Sequence, residues 1–266
     1  MTAALLTLAD SRLPAGGHTH SGGVEQAIAA GIVTDLATLA AFLRRRLHTA
    51  GAVAAGLAAA ACRSVGSGAD GTGAAGALEE VAEQGLSAGA EQQLAAGGAR
   101  RATVSPRCRP EGDDVIAVAA RRVTMTSLDS EADARTPSPA LRAASRAQGR
   151  GLVRVGRRAW PSPVWDDLPD RPHHPLALGV AAAAGGLTPG DAAAAAAYLS
   201  ISGPATAAQR LLAMDPLAVA ALTARLAPEV DAVAERAATE LPAAADPLLD
   251  LLAEVHLARK DRFFAS

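Results

Sequence analysis

The sequence predicts an all-α protein, a single helical-bundle domain of many short helices with a flexible insertion. Three observations lead to this fold class. Alanine, the best helix former, makes up about a quarter of the 266 residues. Aromatic residues, which sheets favour, make up only 2%. Capping side chains stand directly before prolines at several places, and this combination marks the start of a helix.

Helix boundaries are predicted along the chain from capping residues and prolines. Thr34 stands where an N-cap belongs, and apolar residues recur after it at three- and four-residue spacing. Because proline disrupts a helix interior, a break is predicted at Gly203-Pro204, and Pro228 and Pro242 are predicted to bound a further helix. Three more helices are predicted to begin at the prolines of Thr188-Pro189, Asp215-Pro216 and Asp246-Pro247.

A glycine-rich, low-complexity segment from Arg63 to about Thr124 is predicted to be the insertion. Its glycine run, SVGSGADGTGAAG, and its poor periodicity favour a flexible loop over a packed helix. The two Gly-x-Gly-x-x-Gly matches in it follow a predicted helix instead of a strand, so they do not indicate a dinucleotide site. A second, proline-rich linker runs from Trp160 to Pro175. We therefore expect one domain over residues 1–266, with the insertion at about 63–124 and a tail at about 257–266.

Composition and motifs exclude several classes of function. A formal net charge of −2 gives no overall attraction to nucleic acid or to an anionic membrane. Lys260 is the only lysine, so no Walker A loop is present, and neither a Gly-x-Ser-x-Gly elbow nor a His-Glu-x-x-His zinc motif occurs. The chain is predicted not to be an enzyme and to hold no stably bound cofactor. Met1 to Pro14 lacks the basic start of a signal peptide, so we expect a cytoplasmic protein.

Two close pairs of histidines are the available metal ligands. His18 and His20 lie in a glycine-rich loop, and His173 and His174 lie in the proline-rich linker. Imidazole pairs bind borderline divalent metals, but neither pair has a third ligand nearby in the sequence. We interpret both pairs as solvated loop residues and keep a metal site at His18 and His20 as the alternative.

A row of arginines is the most prominent charge pattern. Arg142, Arg146, Arg150 and Arg154 recur every four residues, which places them on one face of a helix. No carboxylate lies between Ala134 and Trp165, so local ion pairs cannot neutralise the row. Two interpretations remain: the arginines pair with acidic residues elsewhere in the fold, or they face a protein partner.

The remaining candidate functional residues lie near the two ends of the chain. In the N-terminal loop, Pro14, Gly16 and Gly17 predict a turn, Ser21 is placed to cap the following helix, and Glu25 lies in the first turns of that helix. At the other end, adjacent phenylalanines stand within four residues of the terminus. Terminal residues fray unless they are held, so we expect these aromatics to dock on a partner and to add little to the fold.

The N-terminal run LLTLADSRLPAGGHTHSGGVEQAIAAGIV resembles the signature of the urease accessory protein UreF family. In that family an apolar helix precedes a Leu-Pro-x-Gly-Gly turn and a Ser-Gly-Gly-x-Glu helix start. The segment TPSPALRAASRAQGRGL is similar to the family's central Arg-x-x-Ser-x-x-x-Gly-Arg helix, through Arg142, Ser145, Gly149 and Arg150. The ending RFFAS is similar to the family's Arg-Leu-Phe-x-Ser.

The resemblance implies an all-α homodimeric chaperone in urease maturation. Such a protein binds a UreD- or UreH-type accessory protein, recruits a UreG-type GTPase and helps to deliver nickel to apo-urease, so the nickel is handled by the complex. The tail around Arg262 to Ser266 would dock on the UreD/UreH-type partner. The loop around Pro14 to Glu25 and the arginine helix would face the GTPase or a second copy of the chain.

The partner-binding residues that this interpretation predicts come from three segments, namely Pro14, Gly16, Gly17, Ser21, Glu25, Arg142, Arg146, Arg150, Arg262, Phe263, Phe264 and Ser266. Two alternatives remain open. The first is a metallochaperone that binds nickel directly through His18, His20 and the His173 pair. The second is an unrelated helical interaction module.

Overall fold

The computed structural model describes residues 3–10, 13, 20–66 and 112–265. These residues form α1 (Ala3–Ala9), α2 (Val24–Ala29), α3 (Leu36–Arg46), α4 (Ala52–Gly66), α5 (Gly112–Ala134), α6 (Pro139–Ala159), α7 (His174–Ala184), α8 (Pro189–Leu211), α9 (Pro216–Ala237) and α10 (Pro247–Ala258). A π-helical turn, Leu47–Gly51, joins α3 to α4, and a 3₁₀ turn, Pro163–Asp167, precedes α7. No strand occurs in this part of the chain, and the all-α prediction is confirmed.

The core is built from helices α4, α7, α8 and α9, which pack closely on one another. Small residues line their contacts. A Cβ placed on Gly179 of α7 would lie only 2.3 Å from the carbonyl oxygen of Ala58 in α4. Alanine and glycine therefore let these backbones approach one another, which explains why a core with so few aromatic residues can still be closely packed.

The predicted helix starts are confirmed with one shift. Helices α8, α9 and α10 begin at Pro189, Pro216 and Pro247, each directly after the predicted cap. Helix α3 is capped by Asp35 instead of Thr34: the Asp35 carboxylate accepts from the Thr38 backbone N–H at 2.8 Å, and the Thr38 hydroxyl accepts from the Asp35 N–H. Local capping chemistry thus sets these helix boundaries.

The predicted break at Gly203-Pro204 and the predicted boundary at Pro228 are wrong, because α8 and α9 continue through these prolines. Proline has no N–H for the carbonyl four residues earlier, which for Pro204 is that of Ser200. Arg46 of α3 supplies the missing donor, with its Nε 2.9 Å from the Ser200 oxygen. The helix survives because another helix replaces its lost hydrogen bond.

The predicted bounds of the insertion are too wide. Arg63 and Ser64 lie inside α4, and Ser64 is buried with its hydroxyl donating to the Ala61 carbonyl oxygen. At the other end, α5 begins at Gly112, well before Thr124. The glycine-rich run that motivated the prediction lies at 67–111, outside the described residues.

The proline-rich linker is more ordered than its composition predicted. Trp165 in the 3₁₀ turn is 1% exposed, and its indole N–H donates to the Trp160 carbonyl oxygen at 2.9 Å. A Cβ on Gly156 of α6 would lie 2.3 Å from the Trp165 ring, so the ring packs where that glycine leaves space. This aromatic contact fixes the linker to α6.

One continuous helical run in the described part of the chain, Leu36–Gly66, has the length and composition to cross a membrane. Just over half of its apolar window is buried inside the protein. Its second half, α4, packs on α7 and α8 in the core.

Candidate functional site: the junction of the two chain ends

Glu25 joins the N-terminal part of the chain to the C-terminal tail. Its side chain is 4% exposed at the start of α2. Oε1 accepts the backbone N–H of Phe263 at 2.9 Å, and Oε2 accepts that of Phe264 at 3.0 Å. Oε2 also lies 2.9 Å from Nε2 of His256, which is 1% exposed on α10. One buried carboxylate therefore holds both the last helix and the tail that follows it.

A glycine turn places Glu25 at this junction. Gly22 and Gly23 have φ angles of +61° and +86°, which glycine adopts without strain. The N-cap of α2 is Gly23, which makes no side-chain cap hydrogen bond. The N-cap is therefore not the predicted Ser21, which is fully buried two residues earlier.

The charge of Glu25 is favoured by its partners. Burial raises the pKa of the carboxyl, but the N–H donors of Phe263, His256 and Phe264 together outweigh burial and leave the pKa below its ordinary value. A carboxylate that accepts several N–H groups is stabilised in its ionised form. Breaking these hydrogen bonds would leave a buried charge without its donors.

The tail is attached to the fold, which differs from the expectation that it adds little to it. Phe264 is half-buried and packs against the core, whereas Phe263 is 83% exposed. Arg259 forms an ion pair with Asp261 and donates to Oε1 of Gln26, on the same helix as Glu25. The two adjacent phenylalanines thus have different environments, one facing the protein and one facing solvent.

Four exposed large apolar side chains lie on α10 and on the tail that follows it. Leu251, Val255 and Leu257 of α10 are each at least half exposed, and Phe263 is exposed on the tail. We call these four residues the C-terminal apolar surface. Lys260 and Arg262 are exposed beside Phe263. Large exposed apolar side chains next to cationic ones are typical of a protein-binding surface.

The arginine row divides into two halves. The half formed by Arg142 and Arg146 meets acidic residues of α5: Arg146 contacts Asp129 at 2.8 Å and Asp133 at 2.7 Å, and Arg142 lies 3.8 Å from Asp133. Arg142 and Arg146 therefore fit the first interpretation, in which the arginines pair with acidic residues elsewhere in the fold.

The other half of the row, Arg150 and Arg154, is exposed, and no ion pair forms between either residue and the described part of the chain. These two guanidinium groups are therefore the part of the row that remains accessible to another molecule.

His173 is not the solvated loop residue that was expected. It is 1% exposed, with Nδ1 at 3.0 Å from the Ser145 hydroxyl and Nε2 at 2.9 Å from Asp133. Its backbone N–H donates to Asp129. Because both ring nitrogens are engaged, His173 fixes the linker onto α5 and α6 and leaves no nitrogen for a metal.

His174 is also less solvated than expected. Burial, together with the charge of His20, lowers its pKa to about 4. Within residues 3–10, 13, 20–66 and 112–265, no three His, Cys, Asp or Glu side chains form a group that could hold a metal ion. The candidates Pro14, Gly16, Gly17, His18 and Ser266 lie outside the described residues.

The sequence did not identify His256, Asp129 and Asp133 as members of these networks. Asp129 and His256 are polar residues on buried helix faces, whereas Asp133, one turn after Asp129, is partly exposed. Asp129 directly follows the buried Leu128, and His256 lies four residues after the buried Leu252. A polar residue among buried apolar positions of an amphipathic helix is the signal that could have drawn attention to them.

Comparison with known proteins agrees with the resemblance seen in the sequence. The model of the UreF family matches residues 33–227. The urease accessory protein UreF of Mycolicibacterium vanbaalenii is 47% identical over 264 residues, covering 99% of this chain and 98% of that protein. The protein of the same name from Mycobacterium sp. (strain JLS) is 45% identical over 262 residues, 98% of this chain and 97% of its own length. That of Mycobacterium tuberculosis (strain ATCC 25177 / H37Ra) is 40% identical over 264 residues, 99% of this chain and 98% of its own length.

Proposed function

This chain belongs to the UreF family of urease accessory proteins, and we propose that it acts in urease maturation as an adaptor between two other accessory proteins. The family consists of accessory proteins and not of enzymes. In the proposed complex, one partner is of the UreD/UreH type and the other is the UreG-type GTPase. The complex delivers nickel to apo-urease in the cytoplasm, and this chain supplies binding surfaces instead of metal ligands.

The C-terminal apolar surface carries this proposal. Phe263 is 83% exposed on a tail whose backbone is held in place. Burying one such aromatic or aliphatic side chain in a partner contributes about 1.5 to 3 kcal/mol before the cost of association is subtracted. Lys260 and Arg262 would form a cationic rim. The surface therefore suits an apolar groove with acidic groups at its edge, which we assign to the UreD/UreH-type protein.

Arg150 and Arg154 support a second contact. Both are exposed on α6 and lack carboxylate partners in the described part of the fold. Two like charges four residues apart repel mildly, and an acidic surface would remove that cost. We assign this pair to the UreG-type GTPase. The adaptor is further proposed to act as a homodimer, which sedimentation of the purified protein tests.

Co-expression in three combinations tests the adaptor function. The chain is expressed with the UreD/UreH-type protein, with the GTPase, and with both, and the complexes are separated by size. We expect the three proteins to elute together and the GTPase to leave the complex when this chain is omitted. Retention of the GTPase by the UreD/UreH-type protein without this chain would overturn the proposal, as would failure of this chain to bind either protein.

A further inference from the structure

We infer that Glu25 is a positioning residue for the C-terminal apolar surface: it holds the tail so that Phe263 faces the partner, although its own carboxylate is too buried to touch one. This inference rests on the proposed function, because it assumes that Phe263 docks on the UreD/UreH-type protein. Its physical basis is the pair of hydrogen bonds from consecutive backbone amides, those of Phe263 and Phe264, to one buried carboxylate.

Two adjacent amides that converge on one carboxylate fix the local backbone. Each oxygen of Glu25 takes one of them, at 2.9 Å and 3.0 Å. With the backbone fixed, the side chains of the two residues separate: Phe264 packs against the core and Phe263 is left in solvent. The carboxylate therefore determines which phenylalanine is available for binding.

Glu25 is itself held in place from α10. His256, buried on that helix, contacts Oε2 of Glu25 at 2.9 Å. Helix α10 also carries Leu251, Val255 and Leu257. The carboxylate thus links the helix and the tail that together form the C-terminal apolar surface, and sets the position of one relative to the other.

Preorganisation is the expected benefit of this arrangement. Ordering the backbone of a residue costs conformational entropy, and a tail that is ordered before binding does not incur that cost again when the complex forms. If the two amide bonds are lost, the tail must be ordered by the partner. We therefore expect the affinity for the UreD/UreH-type protein to fall about tenfold when Glu25 can no longer hold the tail.

Glu25→Gln is the variant that tests the inference. The change preserves size but replaces one accepting oxygen by an NH₂ group, which cannot accept from a backbone amide. Hydrogen exchange at Phe263 and Phe264 reports whether the tail is released, and calorimetry with the UreD/UreH-type protein reports affinity. We expect faster exchange at the amide that loses its accepting oxygen and about tenfold weaker binding.

A double-mutant cycle separates positioning from a general loss of structure. When Phe263→Ala is already present, Glu25→Gln should cause no further loss of affinity, since the side chain that it positions is gone. The matched control is Glu254→Gln: Glu254 accepts from Ser138 and from the Ala140 N–H, and so ties α10 to α6 without touching the tail. This control should leave exchange at Phe263 and Phe264 unchanged.

His256→Gln is a second control, because it leaves both tail amides bonded to Glu25 and should retain most of the affinity. If Glu25→Gln does not fold, Glu25→Asp is measured instead, since it withdraws the carboxylate by one methylene and keeps its charge. Released amides with unchanged affinity would overturn the inference, as would an equal loss in the Phe263→Ala background. Unchanged binding by Phe263→Ala alone would instead overturn the proposed function.

Discussion

Arg46 donates a hydrogen bond from its Nε to the carbonyl oxygen of Ser200, the oxygen that Pro204 leaves without its helical donor. Burial lowers the pKa of Arg46 to about 10, so the guanidinium stays charged at neutral pH. The contact joins α3 to the middle of α8. It explains how an internal proline is accommodated in one of the central helices.

Replacing Arg46 with methionine should therefore destabilise the fold. The change leaves the Ser200 carbonyl without a donor, which costs about 1–3 kcal/mol in the free energy of unfolding. In a Pro204→Ala background the backbone N–H of residue 204 can again donate to the Ser200 carbonyl, so Arg46→Met should lower the free energy of unfolding by less. Chemical denaturation of the parent protein, the two single variants and the double variant measures the difference.

Arg44→Met is the matched control for that measurement. Arg44 pairs with Glu229 at a half-exposed site, where an ion pair contributes about 1 kcal/mol or less. An equal cost of Arg46→Met with and without Pro204 would show that the arginine does not compensate for the proline.

Arg146 and Arg150 should respond differently to reversal of charge. Arg146→Glu places a carboxylate beside Asp129 and Asp133, so we expect a loss of about 2 kcal/mol or more in stability. Arg150→Glu, at an exposed position without an ion pair in the described structure, should change stability by about 0.5 kcal/mol or less. Thermal melts compare the two variants, and equal melting temperatures would contradict the division of the arginine row.

His174 should make the protein less stable as the pH falls below 6.5. Its pKa is about 4 in the folded protein, because burial and then the charge of His20 disfavour protonation, against 6.5 as the ordinary value. The unfolded chain therefore binds the proton first, and the stability contributed above pH 6.5 is lost between about pH 6.5 and 4. One proton corresponds to a slope of at most about 1.4 kcal/mol per pH unit.

Denaturant unfolding at several pH values checks this prediction. His174→Gln should flatten the slope between pH 6.5 and 4. It should leave the steeper loss at lower pH, where Glu25 and Asp133 become protonated, since the pKa of each is depressed in the folded state. An unchanged slope in the variant would assign the dependence to another group.

Removal of the tail should lower stability, contrary to what its position in the sequence alone suggests. Deleting residues 261–266 removes two donors from the buried Glu25 carboxylate and the packing of Phe264. We expect the melting temperature to fall by several degrees, and Phe264→Ala to reproduce part of the fall. Phe263→Ala, at an 83% exposed position, should melt like the parent protein. A deletion that melts unchanged would show that the tail is not held.

Local chemistry explains what the sequence could predict. The starts of α8, α9 and α10 depend on a capping side chain and the proline beside it, so adjacent residues contain all the information needed. The all-α fold class likewise follows from composition and periodicity, which are properties of the chain alone.

The failures arise where a distant residue supplies the missing partner. The break predicted at Pro204 was wrong because Arg46, on another helix, satisfies the freed carbonyl. The arginine row lacked acids nearby in sequence, yet Asp129 lies on the preceding helix and neutralises Arg146. Propensity and local spacing contain no information on which helices meet.

The candidate site shows the same limit of what the sequence can predict. The N-terminal loop and the tail were each recognised as candidates, but nothing in either segment indicated that Glu25 binds the amide of Phe263. These residues lie near opposite ends of the chain and meet only after the bundle has formed. Only the structure therefore reveals that Phe264 packs against the core while Phe263 is exposed.

The affinity of the UreD/UreH-type protein for Phe263→Ala tests the central proposal most directly. Leu217→Ala is the matched control, because Leu217 is 79% exposed at the start of α9 and lies outside the C-terminal apolar surface. Truncating a buried aromatic anchor costs about 2 kcal/mol or more, so we predict at least about thirtyfold weaker binding for Phe263→Ala and parental binding for Leu217→Ala. Parental affinity of Phe263→Ala, or an equal loss in both variants, would contradict the assignment of the tail as the docking site.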